Sequence, residues 1–241
     1  MKRRTKIWLA VLIGLVLLVG VGWGALEATM HQPSPAAARA ARSAVKTEYG
    51  LAFKAKHPED AGVIFYPGAL VAPASYSIWA KRLAASGTSV YIVRFPLNLA
   101  VLRGNQADRV LADTRGPVVI GGHSLGGVMA ARYAKAHQTT RLAGVFFLAS
   151  YADQKGRLTK RGLPVLAVTA DHDQVLNWAA YRKAKANLPQ ATQYVELVGN
   201  HAGFGSYGKQ RGDGQSPVSD GAQQRAVAQT LRQWLKTQVN R

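Results

Sequence analysis

The stretch GGHSLGG, residues 121–127, surrounds Ser124 with glycines and contains the pattern G-x-S-x-G. It follows the apolar run Pro117–Ile120 and opens a helical pattern that begins at Gly126. On such a strand–turn–helix the serine hydroxyl is exposed at a sharp turn, and side chains flanking it would collide. The serine also lies beside the free N–H groups of the helix N-terminus. Ser124 is therefore predicted to be a nucleophile, the alternative being a serine that only caps the helix.

A serine nucleophile needs a base, and the base needs a carboxylate that orients it. On a strand–turn–helix of this kind the order along the chain is serine, acid, histidine. Of the six histidines, only His201, in VGNHAGFG after the last predicted strand, lies where a loop could bring an imidazole over Ser124. His201 is therefore predicted to be the base, the alternative being a histidine on a surface loop.

Four carboxylates follow or lie in the later strands and are candidates for the acid. Asp171 and Asp173 come directly after the strand PVLAVTA, in the loop from which an acid would reach the base. Asp153 follows the previous strand and is a weaker candidate, and Glu196 lies in mid-strand, where a structural role is expected. The residues leave Asp171 and Asp173 open.

Acyl transfer to a serine also requires two backbone N–H groups that stabilise the negative oxygen of the tetrahedral intermediate, the oxyanion hole. One is expected from Leu125, the residue after the nucleophile. The other is expected from the loop after the first strong strand, FYPGALV, where Gly68 and Ala69 are both candidates.

These residues lie in an alternation of short apolar strands and helices that begins near residue 60. Strands rich in β-branched or aromatic residues are predicted at 62–68, 89–95, 117–122, 142–150, 164–170 and 193–199. Helices are predicted at 74–86, 106–113, 126–137, 176–187 and 222–239. The alternation indicates an α/β fold with a mostly parallel central sheet and helices on both faces.

Length and composition limit the remaining possibilities. The 241 residues suffice for one sizeable domain, assigned to residues 59–241. The absence of cysteine excludes a disulfide framework, a thiolate zinc site and a thiol nucleophile, and neither a metal nor a cofactor is predicted. Thirteen residues, 151–163, separate Ser150 from Pro164, which is too few for a cap domain over the site.

The N-terminus has the features of a membrane anchor. The basic residues in 1–6 precede Ile7–Leu26, about twenty residues without a charge, which is long enough to cross a hydrocarbon core of about 30 Å. The basic flank predicts that residues 1–6 are cytoplasmic and that the rest lies outside. A cleaved signal peptide, with Gly22-Trp23-Gly24 as its small-x-small site, is the alternative. Residues 27–58 are predicted to form a linker and a helix on the domain edge, starting near Ala36.

The chain has 31 Lys and Arg against 12 Asp and Glu, a formal net charge of +19. The basic residues are scattered and do not alternate with aromatic residues, so nucleic-acid binding is not predicted. Attraction to anionic lipid or to an anionic cell envelope accounts for the charge instead. The sequence predicts no particular oligomeric state.

The segments FYPGALVAPASYSIWAKRLAASG, FPLNLAVL, GGHSLGG, DHDQV and GNHAGFGSYGKQRGDG carry a resemblance that covers roughly residues 60–236. The chain resembles the α/β-hydrolase superfamily, and within it a small bacterial subgroup related to dienelactone-hydrolase-like enzymes. The resemblance implies the α/β-hydrolase fold and a serine hydrolase that cleaves carboxylic esters through an acyl-enzyme. It implies Ser124 as nucleophile, His201 as base and Asp173 as acid, although Ala170 stands where many relatives have glycine. A non-catalytic hydrolase-like module that binds an envelope component is the alternative function.

Overall fold

The computed structural model describes residue 8 and residues 12–14, 29–58, 61–137 and 139–239. The chain forms two compact units, Met1–His31 and Gln32–Arg241, and all predicted site residues belong to the second. Among the described residues, no helix is both long enough and apolar enough to cross a bilayer. The predicted anchor Ile7–Leu26 and its basic flank lie outside the described residues, apart from Trp8 and residues 12–14. The anchor therefore stays a prediction.

An eight-stranded sheet forms the centre of the second unit. Its strands are β1 (Val45–Thr47), β2 (Gly50–Phe53), β3 (Gly62–Tyr66), β4 (Val90–Val93), β5 (Val118–His123), β6 (Leu142–Leu148), β7 (Val165–Ala170) and β8 (Gln193–Leu197). Their order across the sheet is β1-β2-β4-β3-β5-β6-β7-β8. Strands β3 to β8 are mutually parallel, whereas β1 and β2 are antiparallel to their neighbours. The prediction of a mostly parallel sheet is confirmed.

The antiparallel pair β1–β2 lies in the segment that the sequence analysis assigned to a linker and an edge helix. The helix is present as α1 (Pro35–Ala41), whose first turn is capped by the Ser34 hydroxyl. The hairpin was missed because its strands have three and four residues and show no strong apolar alternation. Gly50 is needed at the hairpin because its φ is +145° and a Cβ there would lie 2.1 Å from the Ile92 carbonyl oxygen.

Helices cover both faces of the sheet, as predicted. The remaining α-helices of the described part of the second unit are α2 (Ser77–Ala85), α3 (Ala107–Asp113), α4 (Leu125–Ala136), α5 (Trp178–Ala184) and α6 (Asp220–Trp234). On one face, Trp79 of α2 and Trp234 of α6 are packed with Phe65 and Phe146. On the other face, residues of α3 and α4 pack against the alternate side chains of the same strands. The parallel strands are thus buried on both sides, which explains why their sequences are apolar throughout.

The segment between β6 and β7 is short, as expected. In it the structure contains a single 3-10 turn, Gln154–Gly156. Within the described residues this segment therefore forms no cap over the carboxyl ends of the strands. The carboxyl ends of β5, β7 and β8 lead directly into the loops that carry the predicted site residues.

Candidate active site

Ser124 lies on the turn between β5 and α4. Its φ of 50° and ψ of −125° place a residue with a side chain in a rarely adopted region of backbone conformation. Two glycines make the turn possible. A Cβ on Gly126 would lie 2.2 Å from the Tyr66 carbonyl oxygen, and a Cβ on Gly122 would lie 2.5 Å from the Gly126 carbonyl carbon. The glycines around Ser124 are thus required by close backbone contacts, as the G-x-S-x-G pattern predicts.

His201 and Asp173 form a buried pair. Nδ1 of His201 lies 2.8 Å from Oδ2 of Asp173, and their side chains are 2% and 0% exposed. The other carboxylate oxygen, Oδ1, accepts hydrogen bonds from the backbone N–H groups of Val175, at 2.9 Å, and Leu176, at 2.8 Å. The carboxylate is therefore fixed by its own loop while it holds the imidazole. A proton on Nδ1 of His201 leaves Nε2 free to accept one.

Asp171 serves a different purpose from Asp173. Its Oδ1 accepts hydrogen bonds from Nδ1 of His172, at 2.7 Å, and from the Gly199 N–H, at 2.9 Å. The hydrogen bond from His172, followed by the one from Gly199, lowers the pKa of the Asp171 carboxyl below its ordinary value. Asp171 joins the loops after β7 and β8. Of the two aspartates that the sequence left open, the structure brings Asp173 to His201.

The two weaker acid candidates are engaged or exposed elsewhere. Oδ2 of Asp153 accepts a hydrogen bond from Nε of Arg132 at 3.0 Å, and its Oδ1 accepts one from the Gly156 N–H at 2.8 Å. Glu196 is exposed on β8, the edge strand of the sheet. Neither carboxylate is bonded to His201.

The loop that carries His201 is held by residues that the sequence analysis did not single out. The Asp213 carboxylate accepts hydrogen bonds from the backbone N–H of His201, at 3.2 Å, and of Ala202, at 2.8 Å. An aspartate twelve residues after the histidine gives no pattern that connects the two. Its role depends on how the later loop folds back over the site.

A buried glutamine of α6 also holds the loop that carries His201. The Gln223 amide exchanges two hydrogen bonds with the Asn200 backbone, at 3.1 and 2.8 Å. A Cβ on Gly203 would lie 1.8 Å from Oε1 of Gln223, so the absence of a side chain at Gly203 leaves space for the Gln223 amide. The available signal was a glutamine on the buried face of an amphipathic helix, where an apolar residue is usual.

The two candidates for the second oxyanion donor differ in the structure. The Gly68 N–H donates to Oη of Tyr76 at 3.0 Å and is buried. The N–H groups of Ala69 and Leu125 have no hydrogen-bond partner within the part of the chain that the structure describes. The loop is fixed on the far side of Ala69 by a hydrogen bond of 2.9 Å from the Leu70 N–H to the Asn98 carbonyl. Ala69 and Leu125 are therefore the available donors.

Ser124, Leu125 and His201 line one cleft of about 240 Å³ at the start of α4. The other lining residues are uncharged: Val128, Ala149, Ser150, Tyr151, Val175, Leu176 and Asn177. No hydrogen bond joins Ser124 and His201 among the described residues, and in unliganded sites such contacts often tighten only when substrate binds. A larger cleft of about 680 Å³ beside α2 contains none of the predicted site residues.

His123, the residue before Ser124, was assigned no role from the sequence. It is 1% exposed, and its ring centroid lies 4.5 Å from that of His201, with 47° between the ring planes. Burial, and next the neighbouring His201, lower the pKa of His123 well below its ordinary value. His123 is therefore a neutral side chain packed behind His201. Among the described residues no three His, Asp or Glu side chains are arranged as ligands for a metal ion.

Comparison with known proteins identifies the family of the chain. The model of the alpha/beta hydrolase family matches residues 62–225, which include Ser124, Asp173 and His201. The chain belongs to the alpha/beta hydrolase family. The narrower resemblance to dienelactone-hydrolase-like enzymes stays a prediction.

Several solved structures resemble this alpha/beta hydrolase. The esterase domain of a Rhodothermus marinus protein is 14% identical, with a TM-score of 0.58, and the match covers 78% of this chain and 92% of that one. A pyrethroid hydrolase from Sphingobium faniae JZ-2 is 17% identical, with a TM-score of 0.52 and coverages of 73% and 98%. A ferulic acid esterase from Streptomyces cinnamoneus is 18% identical, with a TM-score of 0.59 and coverages of 77% and 68%. At these identities the likeness shows the fold. No curated protein sequence matches the chain.

Proposed function

We propose that this alpha/beta hydrolase is a serine esterase that cleaves small carboxylic esters through an acyl-enzyme. Ser124 is the nucleophile, His201 the general base and Asp173 the acid that orients it. The observation that carries the proposal is the buried 2.8 Å hydrogen bond between Asp173 and His201, next to the cleft that Ser124 also lines. A histidine that served only the surface of a loop would not need a buried carboxylate on Nδ1.

The chemistry follows from this arrangement. His201 Nε2 takes the proton of the Ser124 hydroxyl as its oxygen attacks the ester carbonyl carbon, and Asp173 stabilises the imidazolium that forms. The same proton then passes to the leaving alcohol, and water repeats the sequence on the acyl-enzyme. The N–H groups of Leu125 and Ala69 donate to the carbonyl oxygen while it carries the negative charge.

The cleft supports a small, uncharged acyl group as the part of the substrate that is recognised. Its volume of about 240 Å³ is below the usual 300–1,000 Å³ of ligand pockets. Although the chain carries a net charge of +19, no Lys or Arg lines the cleft within the described residues. Two similar solved structures are named esterases, which agrees with an ester substrate.

The proposed esterase is held at the membrane by residues 7–26, and its catalytic domain lies outside the cytoplasm. An uncharged segment of this length after a basic flank supports this topology. Removal of the segment as a signal peptide would instead release the domain.

The proposal is tested with a fluorophosphonate, which reacts with an activated serine. Wild-type protein is expected to be labelled, and Ser124→Ala to abolish both labelling and ester turnover. His201→Ala is expected to cost about as much activity, because the members of such a triad act as a unit. Ser86→Ala is the matched control, since among the described residues the Ser86 hydroxyl bonds only to the Leu83 carbonyl at the end of α2. Label on another serine would refute the mechanism, and unlabelled wild-type protein would favour the non-catalytic module.

A further inference from the structure

A chain of buried hydrogen bonds runs behind the proposed catalytic residues. The Gly68 N–H donates to Oη of Tyr76 at 3.0 Å, and the same Oη lies 3.0 Å from Nδ1 of His123. Tyr76 is 0% exposed and His123 is 1% exposed. Burial raises the pKa of the Tyr76 phenol, so the hydroxyl keeps its proton. The Gly68 N–H uses one lone pair of Oη, and among the described residues Nδ1 of His123 is the acceptor that lies within reach of the hydroxyl's own proton. The Tyr76 hydroxyl therefore donates to Nδ1 of a neutral His123, whose own proton is on Nε2, an atom without a hydrogen-bond partner among the described residues.

The two ends of this chain lie in the two halves of the proposed site. Gly68 immediately precedes Ala69, the proposed oxyanion donor, whose N–H has no hydrogen-bond partner among the described residues. His123 packs with its ring centroid 4.5 Å from His201, the proposed base, and 5.8 Å from Phe204 of the same loop. Tyr76 thus connects the loop of Gly68 and Ala69, called here the oxyanion loop, with His123, the residue that packs behind the proposed base.

Gly68 has no side chain where it meets His123 and Tyr76, and a side chain there would not fit. A Cβ on Gly68 would lie 2.9 Å from Nδ1 of His123 and 3.2 Å from Oη of Tyr76. The backbone next to Tyr76 is also joined to the loop that follows His201, since the Ser206 N–H donates to the Ser75 carbonyl at 2.8 Å. Any movement of the Tyr76 hydroxyl would therefore displace both the loop of Gly68 and Ala69 and the loop that follows His201.

We propose that Tyr76 is a positioning residue whose hydroxyl holds the oxyanion loop and the neutral His123 in register with each other. This inference rests on the proposed esterase function. The hydroxyl turns the Gly68 N–H inward, which leaves Ala69 as the free donor of the loop. It also fixes His123 as an uncharged surface behind His201, and a second cation at this distance would oppose the positive charge that His201 gains during the reaction.

The first test compares two hydroxyl deletions of the same size. Tyr76→Phe keeps the ring, which packs on Phe65 with centroids 4.7 Å apart, and removes only Oη. Tyr133→Phe removes a hydroxyl that donates to Asp108 on the opposite face of the sheet. Steady-state hydrolysis of a short-chain p-nitrophenyl ester is measured per fluorophosphonate-titrated site, with thermal unfolding recorded for both variants.

A positioning role predicts a split between kcat and KM. Loss of a whole oxyanion donor lowers kcat by about 10²–10³. A displaced loop in Tyr76→Phe is therefore expected to lower kcat by about 10- to 100-fold, with KM within about threefold of the wild-type value. Tyr133→Phe is expected to keep kcat within about twofold at a similar loss of stability. Equal kcat values in the two variants, with an active wild type, would overturn the inference alone. An inactive and unlabelled wild type would overturn the proposed function and this inference with it.

The second test does not depend on turnover. In ¹⁵N-histidine NMR spectra of the wild type, His123 is expected to remain a neutral Nε2–H tautomer from pH 5 to pH 8. A wild-type His123 that titrates near the ordinary value, about 6.5, would contradict the hydrogen-bond chain.

A second pair of variants serves if Tyr76→Phe does not fold. His123→Asn retains an acceptor for the Tyr76 hydroxyl, whereas His123→Leu removes it. The asparagine variant is expected to retain at least about tenfold more kcat than the leucine variant. Equal activity of the two would refute the role of the Tyr76 hydroxyl.

Discussion

Replacing Asp173 with asparagine tests the proposed acid by exchanging one carboxylate oxygen for an NH₂ group. In one orientation the amide oxygen keeps the N–H groups of Val175 and Leu176, and the NH₂ group takes the position 2.8 Å from Nδ1 of His201. Two donors would then face each other, so the His201 proton moves to Nε2. In the flipped orientation the NH₂ group faces two backbone donors, and each buried donor left unsatisfied costs about 1–3 kcal/mol. The first orientation is therefore favoured, and His201 has the wrong tautomer.

A base with the wrong tautomer cannot accept the Ser124 proton. In a triad this change costs about 10⁴ in kcat, which is about 5.4 kcal/mol at 1.36 kcal/mol for each tenfold. The fold should survive, because the side chain keeps its shape and its hydrogen bonds from the N–H groups of Val175 and Leu176. We expect the free energy of unfolding to fall by about 1–2 kcal/mol. The assay is ester turnover at saturating substrate, together with thermal unfolding of the same samples.

Asp171→Asn is the matched control. Its amide oxygen can still accept the Gly199 N–H, and none of its hydrogen bonds reaches His201. We expect kcat within about threefold of the wild type, since no change in the tautomer of the base is involved. The opposite pattern, with the large loss in Asp171→Asn, would transfer the acid to Asp171. Turnover within about tenfold of the wild type in both variants would refute the triad.

The remaining predictions concern the turn, the substrate and the topology. Gly126→Ala should lower the free energy of unfolding by about 3 kcal/mol and reduce kcat, because its Cβ would lie 2.2 Å from the Tyr66 carbonyl oxygen. Gly221→Ala, whose Cβ would have no neighbour nearer than 3.8 Å, is the control. It should leave both the free energy of unfolding, measured by denaturation, and kcat unchanged. Esters with short acyl chains should be hydrolysed at least as fast as long ones, and turnover should not jump when a substrate series passes from monomers to aggregates; a sharp rise at an interface would contradict a site without a cap. Protease added to intact cells should reach the domain while the protein fractionates with membranes and keeps residues 1–26; a mature chain that starts near Ala25 would indicate a cleaved signal peptide.

The sequence predicted those parts of the site whose cause is local. The turn at Ser124 depends on glycines within two residues of it, so the pattern that identifies it is contiguous. The acid was narrowed to Asp171 and Asp173, which follow the same strand, but the choice between them depends on contacts with other loops. Asp171 bonds to Gly199 and Asp173 to His201, each 28 residues away. No local pattern encodes which of two neighbouring carboxylates points to which partner.

The choice between Gly68 and Ala69 shows the same limit more strongly. The two N–H groups are adjacent along the chain, and they differ because the Tyr76 hydroxyl, eight residues after Gly68, accepts a hydrogen bond from the Gly68 N–H. The position of that hydroxyl depends in turn on His123, 47 residues after Tyr76. A phenylalanine at position 76 would have left the apolar pattern of the sequence unchanged. The strands and helices therefore follow from the apolar pattern, whereas the proposed assignment of the oxyanion donors follows from one polar atom in the core. A buried hydroxyl that must be satisfied can thus decide which backbone group of a neighbouring loop remains available for chemistry.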